Sequence, residues 1–107
     1  MMIQIKIKDD FTFTPGARDY DDGKESGQEF YEKLLKGKFQ EALDLGVKLK
    51  VDLDGVEGYP SSFLSESFGL LGNEFQGEIV WKNLIIVSNE VPKYIRKIQE
   101  YVFKKRE

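Results

Sequence analysis

Two stretches of the chain alternate apolar and polar residues with a period of two, and each is followed by apolar residues at helical spacing. Ile3, Ile5 and Ile7 alternate with Gln4, Lys6 and Lys8, and Val47, Leu49, Val51 and Leu53 alternate with Lys48, Lys50, Asp52 and Asp54. Successive side chains of a strand point to opposite faces, so both stretches read as strands with one polar face. Behind the first, Ser26-Gly27-Gln28-Glu29 is a capping box. Phe30, Leu34, Leu35, Phe39, Ala42 and Leu43 then recur at helical spacing, with Gly37 weakening the middle and Gly46 ending the helix. Behind the second lies a turn from Gly55 to Pro60. Leu64, Phe68, Leu71 and Phe75 stripe the next helix, which closes between Gly72 and Gly77. Ser61 or Ser62 is placed to cap it.

Leu84-Ile85-Ile86-Val87 is a continuous apolar run, which predicts a central strand buried on both faces. Ser88 or Asn89 then caps a last helix with Val91, Tyr94, Ile95, Ile98 and Val102 on its inner face and Pro92 in its first turn. Lys104, Lys105 and Arg106 suit its negative end. After a turn at Asp9-Asp10, Phe11 to Thr14 is expected to add an antiparallel strand, and Pro15 to Lys24 is a loop rich in Gly, Asp and Pro. The order is β(β)αβαβα. It implies an α/β fold: a mixed, mostly parallel four-stranded sheet with helices mainly on one face, residues 1–107 forming one domain. The other face is expected to be partly open and to carry Gln4, Lys6, Lys8, Lys48, Lys50, Asp52 and Asp54. No aromatic is among them, so it offers no base-stacking platform.

Composition removes several functions. The 107 residues hold 16 basic and 19 acidic side chains, a net charge of −3, where a non-specific nucleic-acid binder carries a basic surplus. There is no cysteine and no histidine, which excludes Ser-His-Asp and Cys-His catalysis and every Cys/His zinc site. Met1 to Lys6 does not read as a signal peptide, and no apolar segment reaches membrane-spanning length. A cytoplasmic protein with no nucleic-acid or membrane partner is expected.

The densest signal is Gly58-Tyr59-Pro60-Ser61-Ser62-Phe63-Leu64-Ser65-Glu66-Ser67-Phe68-Gly69, directly after a strand. It sets two serines at a helix N-terminus, where backbone N–H groups favour negative charge. Either the serines cap the helix, or one accepts a phosphoryl group whose dianion is stabilised there. Glu66, four residues after Ser62, is either a functional carboxylate or an acid that suits the helix dipole. Arg18, in the long loop, either binds an anion at that helix start or is solvated.

Strand, short turn, paired serines and amphipathic helix resemble the STAS domain, the anti-sigma-factor-antagonist module. Gly16-x-Arg18, Ser26-Gly27-x-Glu29-Phe30 and Tyr59-Pro60-Ser61-Ser62-Phe63-Leu64-x-Glu66-x-Phe68-Gly69-x-Leu71 resemble, over roughly residues 10–90, the STAS-like family of unknown function (DUF4325). The resemblance implies a non-enzymatic regulatory module that binds a protein partner, either a histidine-kinase-like ATPase or another signalling protein. It makes Ser61 and Ser62 candidate phosphorylation sites, and Arg18, Tyr59, Ser61, Ser62 and Glu66 candidate partner-binding residues. Two positions depart from the antagonists: their acidic residue before the serine pair is Pro60 here, and their following glycine is Phe63. The alternatives are an accessory subunit without a switch and a small enzyme using serine, Glu66 and Arg18. Asp19, Asp21 and Asp22 lack the spacing of a calcium loop, and Asp52 and Asp54 read as a solvated strand face, so no metal and no cofactor is expected.

Overall fold

The computed structural model describes residues 2–105. Three strands, β1 (Ile3–Lys6), β2 (Leu49–Asp52) and β3 (Leu84–Val87), form one parallel sheet in the order β1-β2-β3. Parallel neighbours need crossovers, and two crossovers of one hand stepping in one direction lay their helices on the same side. The first crossover holds a single helical turn, α1 (Ile7–Asp10), then α2 (Gly27–Phe30) and α3 (Lys36–Leu45), joined without a break by a π-helical turn, Tyr31–Leu35. The second holds α4 (Ser61–Phe75) and α5 (Gly77–Lys82), and α6 (Lys93–Phe103) follows β3.

The alternation in β1 and β2 does what its period demands. Ile3, Ile5, Leu49 and Val51 are buried under the helices, while Gln4 and Lys6 are exposed and Lys50 and Asp52 half-buried on the open face. Lys8 leaves that face, because the strand ends at Lys6, and its aliphatic stem lies over Gly55. The core is aromatic-rich. Phe30 stacks on Phe63 at 5.6 Å, and Phe39 meets Phe75 edge-on at 5.1 Å. The cap at Ser26 forms as expected, its hydroxyl accepting the Glu29 N–H at 3.1 Å, but the Glu29 carboxylate reaches back to the N–H of Glu25 instead of that of Ser26. Gly46 takes a left-handed conformation (φ 69°) and closes α3 with bonds from its own N–H to Leu43 and from Val47 to Ala42.

Three expectations are corrected. Among the described residues the sheet has three strands, not four. Phe11 to Thr14 forms no strand, because the N–H groups of Phe11 and Thr12 both turn back to the carbonyl of Ile7 and the Phe11 ring packs against Phe30 at 5.3 Å. Local turns and an aromatic contact there outcompete a ladder. β3 is an edge strand, not the central one: its run is apolar because Leu84 is buried in the core, yet Ile85 on the other face is 36% exposed. Nor does Ser88 or Asn89 cap α6. Pro92 holds the position before that helix, and the Ser88 hydroxyl donates to the carbonyl of Val91. Lys104 and Lys105 are exposed beyond α6, and Arg106 lies outside the described residues.

Candidate functional site

The segment between β2 and α4 is held from both ends. Asp52 accepts the N–H of Asp54 at 2.9 Å, and Asp54 accepts the N–H groups of Glu90 (3.0 Å) and Asn89 (3.1 Å), tying this turn to the one after β3. Those donors, the Glu90 N–H first, hold the Asp54 carboxyl below its ordinary value. Further on, the Tyr59 hydroxyl donates to the carbonyl of Leu53 at 2.8 Å, and its ring meets Tyr94 edge-on at 5.4 Å and packs on Phe63. Burial, aided by the charge of Asp52, pushes the Tyr59 phenol up. The side chain is only 9% exposed, so Tyr59 braces the turn more than it presents a contact.

α4 starts at Ser61, but neither serine caps it. A capping side chain must sit on the extended residue before the first turn, and that residue is Pro60 (φ −58°, ψ 140°), whose carbonyl accepts from Phe63 and Leu64. The serines come one and two positions too late. Ser61 is therefore exposed and Ser62 half-buried, both in the first turn of a fifteen-residue helix. Beside them opens a shallow groove of about 410 Å³, lined by Thr14, Pro15, the turn 57–60 and Tyr94.

The long loop arrives at the same place. Its carbonyls at Ala17 and Arg18 accept the N–H groups of Gly27 (2.8 Å) and Gln28 (3.0 Å) at the start of α2. Gly27 in turn lies against α4 so closely that a Cβ there would meet the Phe63 carbonyl oxygen at 2.5 Å. With loop, α2 and α4 so joined, Arg18 reaches Glu66 at 3.5 Å. Arg18 is 45% exposed at its side chain and Glu66 12%. An ion pair this long and open contributes little to stability.

The family model described as a STAS-like domain of unknown function (DUF4325) matches residues 26–94, well over half of the chain. The chain belongs to the STAS-like family. No curated protein and no solved structure matches it. The matched segment of this STAS-like domain runs from the Ser26 cap to Tyr94, so it includes the serine pair and Glu66 and leaves Arg18 outside.

Of the residues the sequence singled out, the STAS-like fold brings Arg18 to Glu66 in the second turn of α4, and buries Tyr59 against Phe63 and Tyr94 just before that helix. It spends Asp54 as a structural clamp instead of leaving it on a solvated face. Asp19 likewise accepts the N–H groups of Asp21 and Asp22 and so caps a short 3-10 turn, Tyr20–Asp22. Tyr94, Thr14 and Pro15 enter the groove from distant segments; helical spacing marks Tyr94 as inward-facing, but nothing local marks any of the three as lining a groove. No helix among the described residues is long and apolar enough to cross a membrane.

Proposed function

We propose that this domain is a non-catalytic regulatory module of the cytoplasm that docks a protein partner on the turn 57–60 and the first turn of α4. Phosphorylation of Ser61 or Ser62 is the switch. The observation that carries the reading is the exposure of Ser61 at the start of a long helix with its hydroxyl not used as a cap. A partner of the histidine-kinase-like ATPase type would transfer the γ-phosphoryl group of ATP to the serine oxygen. The hydroxyl proton passes to a base of that enzyme and ADP leaves. The modified serine gains about −1.5 to −2 charges at the docking surface, stabilised by the helix end beneath it. Arg18, exposed and held at 3.5 Å from Glu66, which lies one helical turn after Ser62, is the cation this reading offers the added charge.

A small enzyme built on serine, Glu66 and Arg18 has less support, because the Glu66 carboxylate is paired with Arg18 and Ser61 faces solvent. The test is incubation with ATP and the candidate ATPase, followed by phosphopeptide mass spectrometry and a binding measurement. Phosphoserine at 61 or 62, with altered partner affinity, is the expected result. A partner that binds the wild type and the S61A/S62A double variant equally, with no phosphoserine in either, would leave an accessory subunit without a switch.

A further inference from the structure

Segments that follow all three strands meet at the carboxyl end of the sheet. Thr14 and Pro15 come after β1, the turn 57–60 after β2 and Tyr94 after β3, and together they line the shallow groove beside α4. Crevices at that end are where open α/β sheets take their ligands. The floor is aromatic: the Tyr59 N–H donates to the Tyr94 hydroxyl at 3.4 Å, and the two rings meet edge-on. Phe13 adjoins the groove in the chain, and its carbonyl accepts the Glu57 N–H at 3.3 Å. Its ring is 57% exposed, more than any other large apolar side chain among the described residues, which suits a protein contact. The surroundings are acidic. Glu57 lines the groove and is exposed, and the charges of Asp52, Asp54 and Glu90 act on the Tyr59 phenol, which burial already pushes up. Asp52, Asp54 and Glu90 accept backbone N–H groups, the last from Gly55 at 2.8 Å. Those donors are neutral, so the negative charges remain. None of the four carboxylates is in an ion pair among the described residues. Lys8, whose stem lies over Gly55, and Lys93, exposed next to Tyr94 in the chain, offset only part of this charge.

We infer that this groove takes a basic segment of a protein partner, an extended stretch with arginine on either side of an apolar residue. The inference rests on the docking reading above and names the partner's chemistry. Charge complementarity selects it: acidic surroundings with an apolar floor fit a basic chain with an apolar anchor. The anchor meets Pro15, Pro60 and Tyr94, and the guanidinium groups face the carboxylates of Glu57 and Glu90. Arginine suits this place better than lysine, because its planar fork matches a carboxylate and stacks on tyrosine. The same field repels nucleic acid and anionic membrane surfaces. A phosphoryl group on Ser61, directly after Pro60, would enlarge it.

Fluorescence anisotropy with two labelled short peptides tests it, one with arginines flanking a central leucine and one with glutamates in their place. The basic peptide should bind, the acidic one should not, and added salt should weaken the binding. Glu57→Lys should weaken it about tenfold. Glu41→Lys, exposed on α3, changes the net charge equally and should leave the binding as it is. Both variants should keep the circular dichroism spectrum of the wild type. Equal effects of the two variants would mean attraction to the overall charge of the chain and overturn the inference. So would equal binding of the two peptides, or binding of neither at about 1 mM. Should Glu57→Lys fail to fold, Glu57→Gln decides: a smaller loss of affinity is expected, and an unchanged constant overturns the inference. Phosphoserine and altered ATPase affinity in the experiment above, with no preference for the basic peptide, overturn this inference and leave that function standing. A bound basic peptide with no phosphoserine ever formed keeps the groove and removes the switch.

Discussion

Gly72 lets α4 and α6 meet through their backbones. A Cβ at that position would stand 2.0 Å from the carbonyl oxygen of Val102, and a main-chain atom cannot swing aside as a side chain does. Gly72→Ala should therefore cost about 2–3 kcal/mol, read as a lower urea midpoint with an unchanged slope. The serines separate by the same kind of argument. Ser26 is fully buried with its hydroxyl on the Glu29 N–H, so Ser26→Ala should cost about 1 kcal/mol. Ser61 caps nothing and is exposed, so Ser61→Ala should stay within about 0.5 kcal/mol of the wild type in the same denaturation measurement. Equal losses at the two positions would contradict the assignment of Pro60 as the residue that opens α4.

Elements were legible in proportion to how local their causes are. The Ser26 cap, the stripe of α4 and the Gly46 stop each act within a turn or two of chain, and each is present. The π-helical turn is also marked in the spacing, once its meaning is known: Phe30 and Leu35, five apart, are both fully buried, whereas Leu34 is only half-buried. It sends the Tyr31 hydroxyl to the Glu74 carboxylate, which also pairs with Lys36 at 3.0 Å. Phe11 to Thr14 reads as a strand because Phe and Thr suit one, and only the distant Phe30 and Phe63 rings explain why it is not. The apolar content of β3 could not say whether a neighbour lay on one side or two. The Arg18–Glu66 meeting spans 48 positions and depends on the packing of Gly27 on α4, so no local spacing shows it; the sequence went only as far as setting Arg18 near the start of that helix as a candidate anion binder. The turn clamp at Asp54 can be tested on its own. A carboxyl held below its ordinary value of 3.8 contributes stability above that value and loses it as the pH falls through the depressed one. The stability difference between wild type and Asp54→Asn should be largest near neutrality and vanish in strong acid, as followed by denaturant midpoints across a pH series.

Across the whole molecule, two of the five tyrosines are built into the core with their phenols committed. Burial, with the Glu74 carboxylate for Tyr31 and the Asp52 charge for Tyr59, pushes both far above the ordinary phenol value of 10.0. A raised value favours the neutral form in the fold. The contribution is complete below 10.0 and is lost as the pH climbs towards the raised values. Ultraviolet titration should show these two phenols ionising only together with the loss of circular dichroism at high pH. Early ionisation of Tyr59 with the fold intact would mean that its bond to Leu53 is not maintained.

Sheet order and chain order coincide, β1 beside β2 and β2 beside β3, and this bears on how the protein is made. No strand has to be threaded between two that are already paired. As the polypeptide leaves the ribosome, β2 can join β1 as soon as the first crossover is out, and β3 then adds to the growing side. α6, made after all three strands, closes over Gly72 through the backbone of Val102 and completes the packing of α4. Truncation before that point should leave a nascent chain with its sheet assembled and its largest helix uncovered, the state in which such a protein most needs a chaperone.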